Sequence, residues 1–231
     1  MTGVRPQDGT AAGRAERSGL VICGGHSRRM GTDKALVDLA GARFLDRSIA
    51  ALAPLVGEVV LATGSEPRYP ELGLRTVTDV RPDCGPLAGL VAGLEEARAA
   101  DRDLVLVLAC DTPRADARLF EALLARLDEA GSADACLLRT PDGLEPLCAV
   151  YRTTCAAPAL AALAGGRRRM TSFHDEVELA YLELDELPAD LVAARPDTNV
   201  NTPAELESER AWFAGGGSGS SVERGGREVC A

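Results

Sequence analysis

An α/β domain, three layers deep, with a mostly parallel sheet covered by helices on both faces, is the fold this 231-residue sequence predicts. Three observations carry the prediction. Short β-rich apolar runs alternate along the chain with Ala- and Leu-rich amphipathic stretches. Three of those runs, 20–23, 58–62 and 104–109 ("LVLVLA"), are apolar enough to be buried on both faces, as strands inside a parallel sheet are. Hydrophobic residues make up 46% and charged residues 26%, the balance of a globular chain with a full core.

The elements follow in order. Residues 1–17 are polar and rich in Gly, Ala and Arg, which reads as a loose N-terminal arm without the apolar segment of a secretory signal. A strand at 20–23 and a helix at 44–53 come next, then a strand at 58–62 and a shorter one at 75–77. A helix at 86–100, the strand at 104–109 and a helix at 116–130 complete a pattern that sets ligands at the carboxyl ends of the strands. Beyond residue 131, "ADACLLR" (133–139) and "LCAVYR" (147–152) read as strands joined by the turn "TPDGLEP". A helix at 154–164, a strand at 177–184 and a helix at 203–213 follow. The Gly/Ser-rich stretch 214–231 has nothing to bury and reads as a flexible tail. One domain, 18–213, is therefore expected between arm and tail, with no internal repeat.

Composition narrows the function. A net charge of −10 and only 3% aromatic residues argue against a nucleic-acid partner bound over a wide surface. Seven cysteines without a Cys-x-x-Cys pair, and only two histidines, argue against a zinc or iron–sulfur site. Their scatter through apolar runs suits reduced, buried thiols in a cytoplasmic protein, and no stretch is long and apolar enough to make a membrane a partner.

Against that acidic background, "VICGGHSRRMGTDKALVDLAG" (21–41) gathers Arg28, Arg29 and Lys34 beside two glycines, with Asp33 as the one acid within 26–34. A buried strand that runs into a glycine-rich, positive turn presents backbone N–H groups to phosphate. Gly24 and Gly25 lack a Cβ, so phosphate oxygens can approach the turn closely. The loop is neither a Walker P-loop nor a Gly-x-Gly-x-x-Gly fingerprint. Asp111, in "LVLVLACDTP", follows a long buried run and stands at the carboxyl edge of the sheet; a metal ligand and an N-cap for the next helix are the two readings open to it. Cys110 beside it reads as packing. "DCGPLAGLVAGL" (83–94) is a loop-to-helix junction with Pro86 in the first turn, and "DTNVNTPAEL" (197–206) holds a capping box, Thr202 to Glu205, that leaves Asn199 and Asn201 unexplained.

Taken together, these stretches resemble the nucleotidyltransferases of GT-A fold, and "CGGHSRRMGTDKAL" is most similar to the molybdenum cofactor guanylyltransferase family. The resemblance spans about 18–210 and is strongest before residue 115. It implies transfer of GMP from Mg-GTP to the terminal phosphate of molybdopterin, with Mg2+ as cofactor. By position, Arg29 and Lys34 match the signature arginine and lysine that neutralise the leaving pyrophosphate, and Asp111 matches the magnesium ligand. Cys23, Gly24, Gly25, Asp79, Gly85, Pro86, Leu87, Asn199 and Asn201 match nucleotide-site positions.

Two places depart from the family. Thr63 stands near where relatives often carry an asparagine, and Arg167, Arg168 and Arg169 match the family's basic segment only loosely, leaving a pterin-phosphate clamp and a solvated turn both open. Arg28 is similarly open between a second clamp and a surface residue. A cytidylyltransferase of the same fold and a non-catalytic nucleotide-binding protein are the alternatives. Relatives of the first kind usually read Pro-Lys at 33–34, and the second would have been signalled by loss of Asp111 or Lys34. Insertion or delivery proteins for the finished cofactor are candidate partners, and the oligomeric state is not legible.

Overall fold

Arg17–Ile22 (β1) is buried at every position, as an interior strand of the sheet is. The computed structural model describes residues 11–24, 33–79, 81 and 84–217. A short helix, α1 (Ala11–Ala15), precedes β1, and a two-residue hairpin, β2 (Asp38–Leu39) with β3 (Ala42–Arg43), follows it. Then come α2 (Phe44–Leu52), β4 (Glu58–Ala62), β5 (Arg75–Val77), α3 (Pro86–Ala99), β6 (Leu104–Ala109) and α4 (Ala117–Glu129). The second half holds β7 (Ala135–Thr140), β8 (Gly143–Arg152), α5 (Ala156–Ala164), β9 (Leu179–Glu183), α6 (Ala189–Ala194) and α7 (Pro203–Ala214).

Seven strands form one sheet in the order β5-β4-β1-β6-β8-β7-β9, and only β8 runs against the others. The chain leaves β1 toward β4 on one side and returns toward β6 on the other. That reversal opens a crevice at the carboxyl ends of the central strands, where ligands of open α/β sheets bind.

The two helical layers differ. On one face α4 turns Leu119, Phe120, Leu123, Leu124 and Leu127 into the core, a stripe at helical spacing, and Asp116 caps it by accepting from the Arg118 N–H (2.9 Å). On the other face α3 is buried almost all round, between the sheet and α5. Such close approach needs glycine: a Cβ on Gly93 would lie 2.3 Å from Leu20 Cδ2.

Several elements depart from the sequence reading. Residues 11–17, expected as part of the loose arm, form α1 and the start of β1, and Arg17 is buried. The expected turn at 140–146 shrinks to Pro141 and Asp142, because β8 begins at Gly143. The strand expected over 177–184 spans 179–183 and gives way to a 3-10 turn at Leu184–Glu186. Residues 1–10 of the arm and 218–231 of the tail lie outside the described residues. Among the described residues, no helix is long and apolar enough to cross a membrane, and six cysteines are free, buried thiols.

Candidate active site

At the mouth of β6 the chain places Asp111 where the sheet ends. Lys34 Nζ donates to Asp111 Oδ2 (2.8 Å) and to Asn201 Oδ1 (2.8 Å), so three residues up to 167 positions apart meet at one ammonium. The other carboxylate oxygen, Asp111 Oδ1, is buried and has no hydrogen-bond partner among the described residues. Capping does not account for Asp111, since Asp116 caps α4. A buried carboxylate oxygen without a donor is costly unless a ligand completes it.

The segment after α6 is tied to this point. Val200 N–H donates to the Asp111 carbonyl (3.0 Å), and the Val200 side chain is wholly buried with Leu39, Phe44 and Leu206. Asn199 and Asn201 flank it, both exposed at the crevice side of that anchor. Thr112 Oγ1 donates to Asn199 Oδ1 (3.3 Å). Upstream, Arg195 in the left-handed region (φ 51°) grips buried Asp197 through Nε (3.0 Å) and Nη2 (2.8 Å). The capping box is present, with Thr202 Oγ1 accepting from the Glu205 N–H (3.2 Å).

Lys34 opens a 3-10 turn, Lys34–Leu36, whose cap is Asp33. The Asp33 carboxylate has partners of its own: it accepts from the Ala35 N–H, the Tyr69 hydroxyl and the Arg68 guanidinium.

On the β4 side the predicted residues serve the backbone first. Cys23 N–H and Sγ both donate to the Ala62 carbonyl (3.0 and 3.4 Å), and burial pushes the thiol up to about 12. A Cβ on Gly24 would stand 2.2 Å from the Gly64 nitrogen, so glycine there is required by the neighbouring loop's backbone. Asp79 N–H donates to the Gly64 carbonyl (2.8 Å), and Asp79 Oδ1 lies 3.6 Å from where a Gly89 Cβ would be, over the first turns of α3. Gly85, at φ +73°, caps α3, with Pro86 exposed in the first turn. Leu87 is different: its side chain is wholly buried in the core, so only its backbone can reach a ligand. Thr63, near where relatives often carry an asparagine, is buried too, and its hydroxyl donates to the Glu66 carbonyl (2.7 Å).

Gly25, Arg28 and Arg29 lie outside the described residues. Of the three arginines at 167–169, Arg167 is paired with Glu176 (2.7 Å) on the surface, and the Arg168 carbonyl lies 4.0 Å from where a Gly85 Cβ would be. Glu145, absent from the sequence reading, is half-buried in β8. Its pKa is raised, chiefly by loss of solvent and then by Asp197, Asp142 and Asp111. It sat inside the stretch read as a turn, where no periodicity marks it.

Comparison with known proteins agrees with this geometry. The model of the MobA-like NTP transferase domain matches residues 19–178. A protein of Chloroflexus aggregans named "Probable molybdenum cofactor guanylyltransferase" is 34% identical over 208 residues, covering 85% of this chain and 94% of that one. The molybdenum cofactor guanylyltransferase of Burkholderia ambifaria is 38% identical over 179 residues, covering 71% and 85%. Among solved structures, molybdopterin-guanine dinucleotide biosynthesis protein A from Archaeoglobus fulgidus superposes with a TM-score of 0.70 at 22% identity, over 86% of this chain and 99% of that one, a likeness of fold.

Proposed function

Because the chain belongs to the MobA-like NTP transferase family, we propose that its crevice transfers GMP from GTP to the terminal phosphate of molybdopterin, giving the guanine dinucleotide cofactor and pyrophosphate. The observation that carries the site assignment is the Asp111 carboxylate, one oxygen held by Lys34 and the other buried without a partner.

The acceptor is already a nucleophile. A phosphate oxygen of molybdopterin attacks the α-phosphorus of GTP, the bond to the bridging oxygen breaks, and its electron pair leaves with pyrophosphate. No covalent enzyme intermediate is needed, so the protein's contribution is alignment and neutralisation of charge. Lys34 supplies one positive charge at the crevice. Asn199 and Asn201 offer neutral donors and acceptors, and the Gly85–Pro86 turn leaves room for a base against the start of α3.

A divalent cation fits Asp111. The described residues bring together no cluster of three or more His, Cys, Asp or Glu placed to hold a metal, and the unpartnered Oδ1 offers a single hard ligand. One carboxylate plus substrate phosphates is the set that Mg2+ takes. Asp111 would hold the cation, which would supply positive charge to offset what develops on the phosphates.

The test offers each of the four NTPs with Mg2+ and molybdopterin and measures pyrophosphate release. GTP is expected to exceed CTP by a factor of about ten or more, roughly 1.4 kcal/mol of discrimination. Equal rates, or faster release from CTP, would overturn the guanine assignment.

A further inference from the structure

Of 25 basic residues in the chain, Lys34 is the only lysine. The residue before it is an acid. A carboxylate one position from the lysine, beside a crevice for polyphosphate, poses a physical problem: it would compete with Asp111 for the ammonium and repel the nucleotide.

The structure engages that charge with partners other than Lys34. Asp33 Oδ1 accepts from the Ala35 N–H (3.2 Å) and the Tyr69 hydroxyl (3.1 Å), and Oδ2 accepts from the Tyr69 hydroxyl (2.9 Å) and the Arg68 guanidinium. Arg68 lies over the Tyr69 ring, 5.0 Å from its centroid. Tyr69 is buried and holds φ 63°, ψ 45°, the left-handed region where a bulky side chain is strained and persists only if its surroundings impose it. Burial and the bond to Asp33 raise its pKa, which keeps the hydroxyl a donor. Tyr69 shares an apolar cluster with Cys23, the residue that follows β1, so the pair sits near the mouth of that strand.

We propose that Arg68 and Tyr69 are positioning residues for the transfer reaction: they hold and neutralise the Asp33 carboxylate, so that the only lysine delivers its charge to Asp111 and the nucleotide phosphates. This rests on the GMP-transfer reading above. A purely structural role, closing the β4–β5 loop onto the 3-10 turn, makes a different prediction for a second substitution. If the contact only anchors the loop, removing both partners is as harmful as removing one. If Arg68 works by cancelling charge, removing that charge repairs its loss.

The experiment compares Arg68→Gln with the double variant Asp33→Asn/Arg68→Gln, since the amide keeps an oxygen for Ala35 and Tyr69. Arg68 is a third exposed, which makes its replacement compatible with folding. Arg68→Gln is expected to lower kcat for GMP transfer about tenfold, and the double variant to return to within about threefold of the parent. A second readout needs no substrate. Protein labelled with 13C and 15N in lysine shows one side-chain signal, which Arg68→Gln should shift and the double variant should restore. A double variant as slow as Arg68→Gln or slower, or a lysine signal that Arg68→Gln leaves in place, would overturn the proposal. A signal that shifts and returns while the parent releases no pyrophosphate from GTP would uphold the neutralisation of Asp33 and sink the transfer reading instead.

Discussion

Two ion pairs, with Asp111 and Arg114 three residues apart in the chain, do opposite things. Lys34–Asp111 and Arg114–Glu209 each have a cation that is 12% exposed. Around Arg114 every nitrogen is engaged: Nε and Nη2 grip both oxygens of Glu209, Nη1 donates to the Ala194 carbonyl (3.1 Å), and the guanidinium stacks 4.2 Å from the Trp212 ring centroid. Around Asp111 one oxygen is bound and the other is not. The first pair is closed and fastens α7 to the domain. The second is open, and an open valence in such a pair marks a place kept for something else.

Breaking each pair should therefore show in different measurements. The largest effect is expected from Asp111→Ala, which should lower GMP transfer about a thousandfold or more while leaving the thermal midpoint close to that of the parent. Transfer at the parental rate would return Asp111 to a structural role. Glu209→Ala should do the reverse. It strands the Arg114 guanidinium, with an expected loss of about 3–5 kcal/mol in urea unfolding and a kcat, well below the midpoint, within a few-fold of the parent. If Glu209→Ala unfolds no more easily than Asp111→Ala, the contrast between closed and open pairs fails.

Lys34→Ala comes next. It removes one point charge but leaves the carboxylate, so a fall of about a hundredfold in kcat is expected. Added Mg2+ should partly rescue Asp111→Asn, which retains an oxygen ligand, and should not rescue Lys34→Ala.

The smallest effect sharpens what an unpartnered atom means. His174 Nε2 is also buried without a partner, yet it lies against Phe173, edge-on with ring centroids 5.0 Å apart. Desolvation lowers its pKa from the ordinary value of 6.5. A depressed folded pKa gives stability that is complete above about pH 6.5 and is lost as pH falls through the folded value, because the unfolded chain takes up the proton first. Thermal midpoints should decline on that side of neutrality, and His174→Phe should flatten the decline. An unchanged slope in His174→Phe would remove this histidine as the cause.

How much of this was legible in the sequence follows from how local each signal is. β1, β4 and β6 announce themselves because burial on both faces gives each a continuous apolar run, 20–22, 59–62 and 104–109, and α4 because its leucines keep helical spacing. The start of β8 was hidden by Pro146. The register against β7 shifts there, from Leu137 opposite Ala149 to Leu138 opposite Glu145, so the proline falls in an irregular stretch where a missing N–H breaks no ladder. The β2–β3 hairpin is too short to show a period. In the site, Lys34, Asp111 and Asn201 could be named from their motifs, whereas Arg68, Tyr69 and Glu145 could not. Their partners are supplied by other parts of the sheet, and no spacing along the chain encodes that meeting.

The tie between Val200 and Asp111 also sets a timetable. Translation delivers the strand with Asp111 nearly ninety residues before the segment that carries Asn199 and Asn201, and Val200 reaches the Asp111 carbonyl only when that segment docks. A chain still on the ribosome can thus complete β7, β8 and β9 while its lysine lacks the Asn201 contact. A message truncated before residue 199 would thus lack both asparagines, with the Asn201 contact to Lys34 and the Asn199 contact to Thr112.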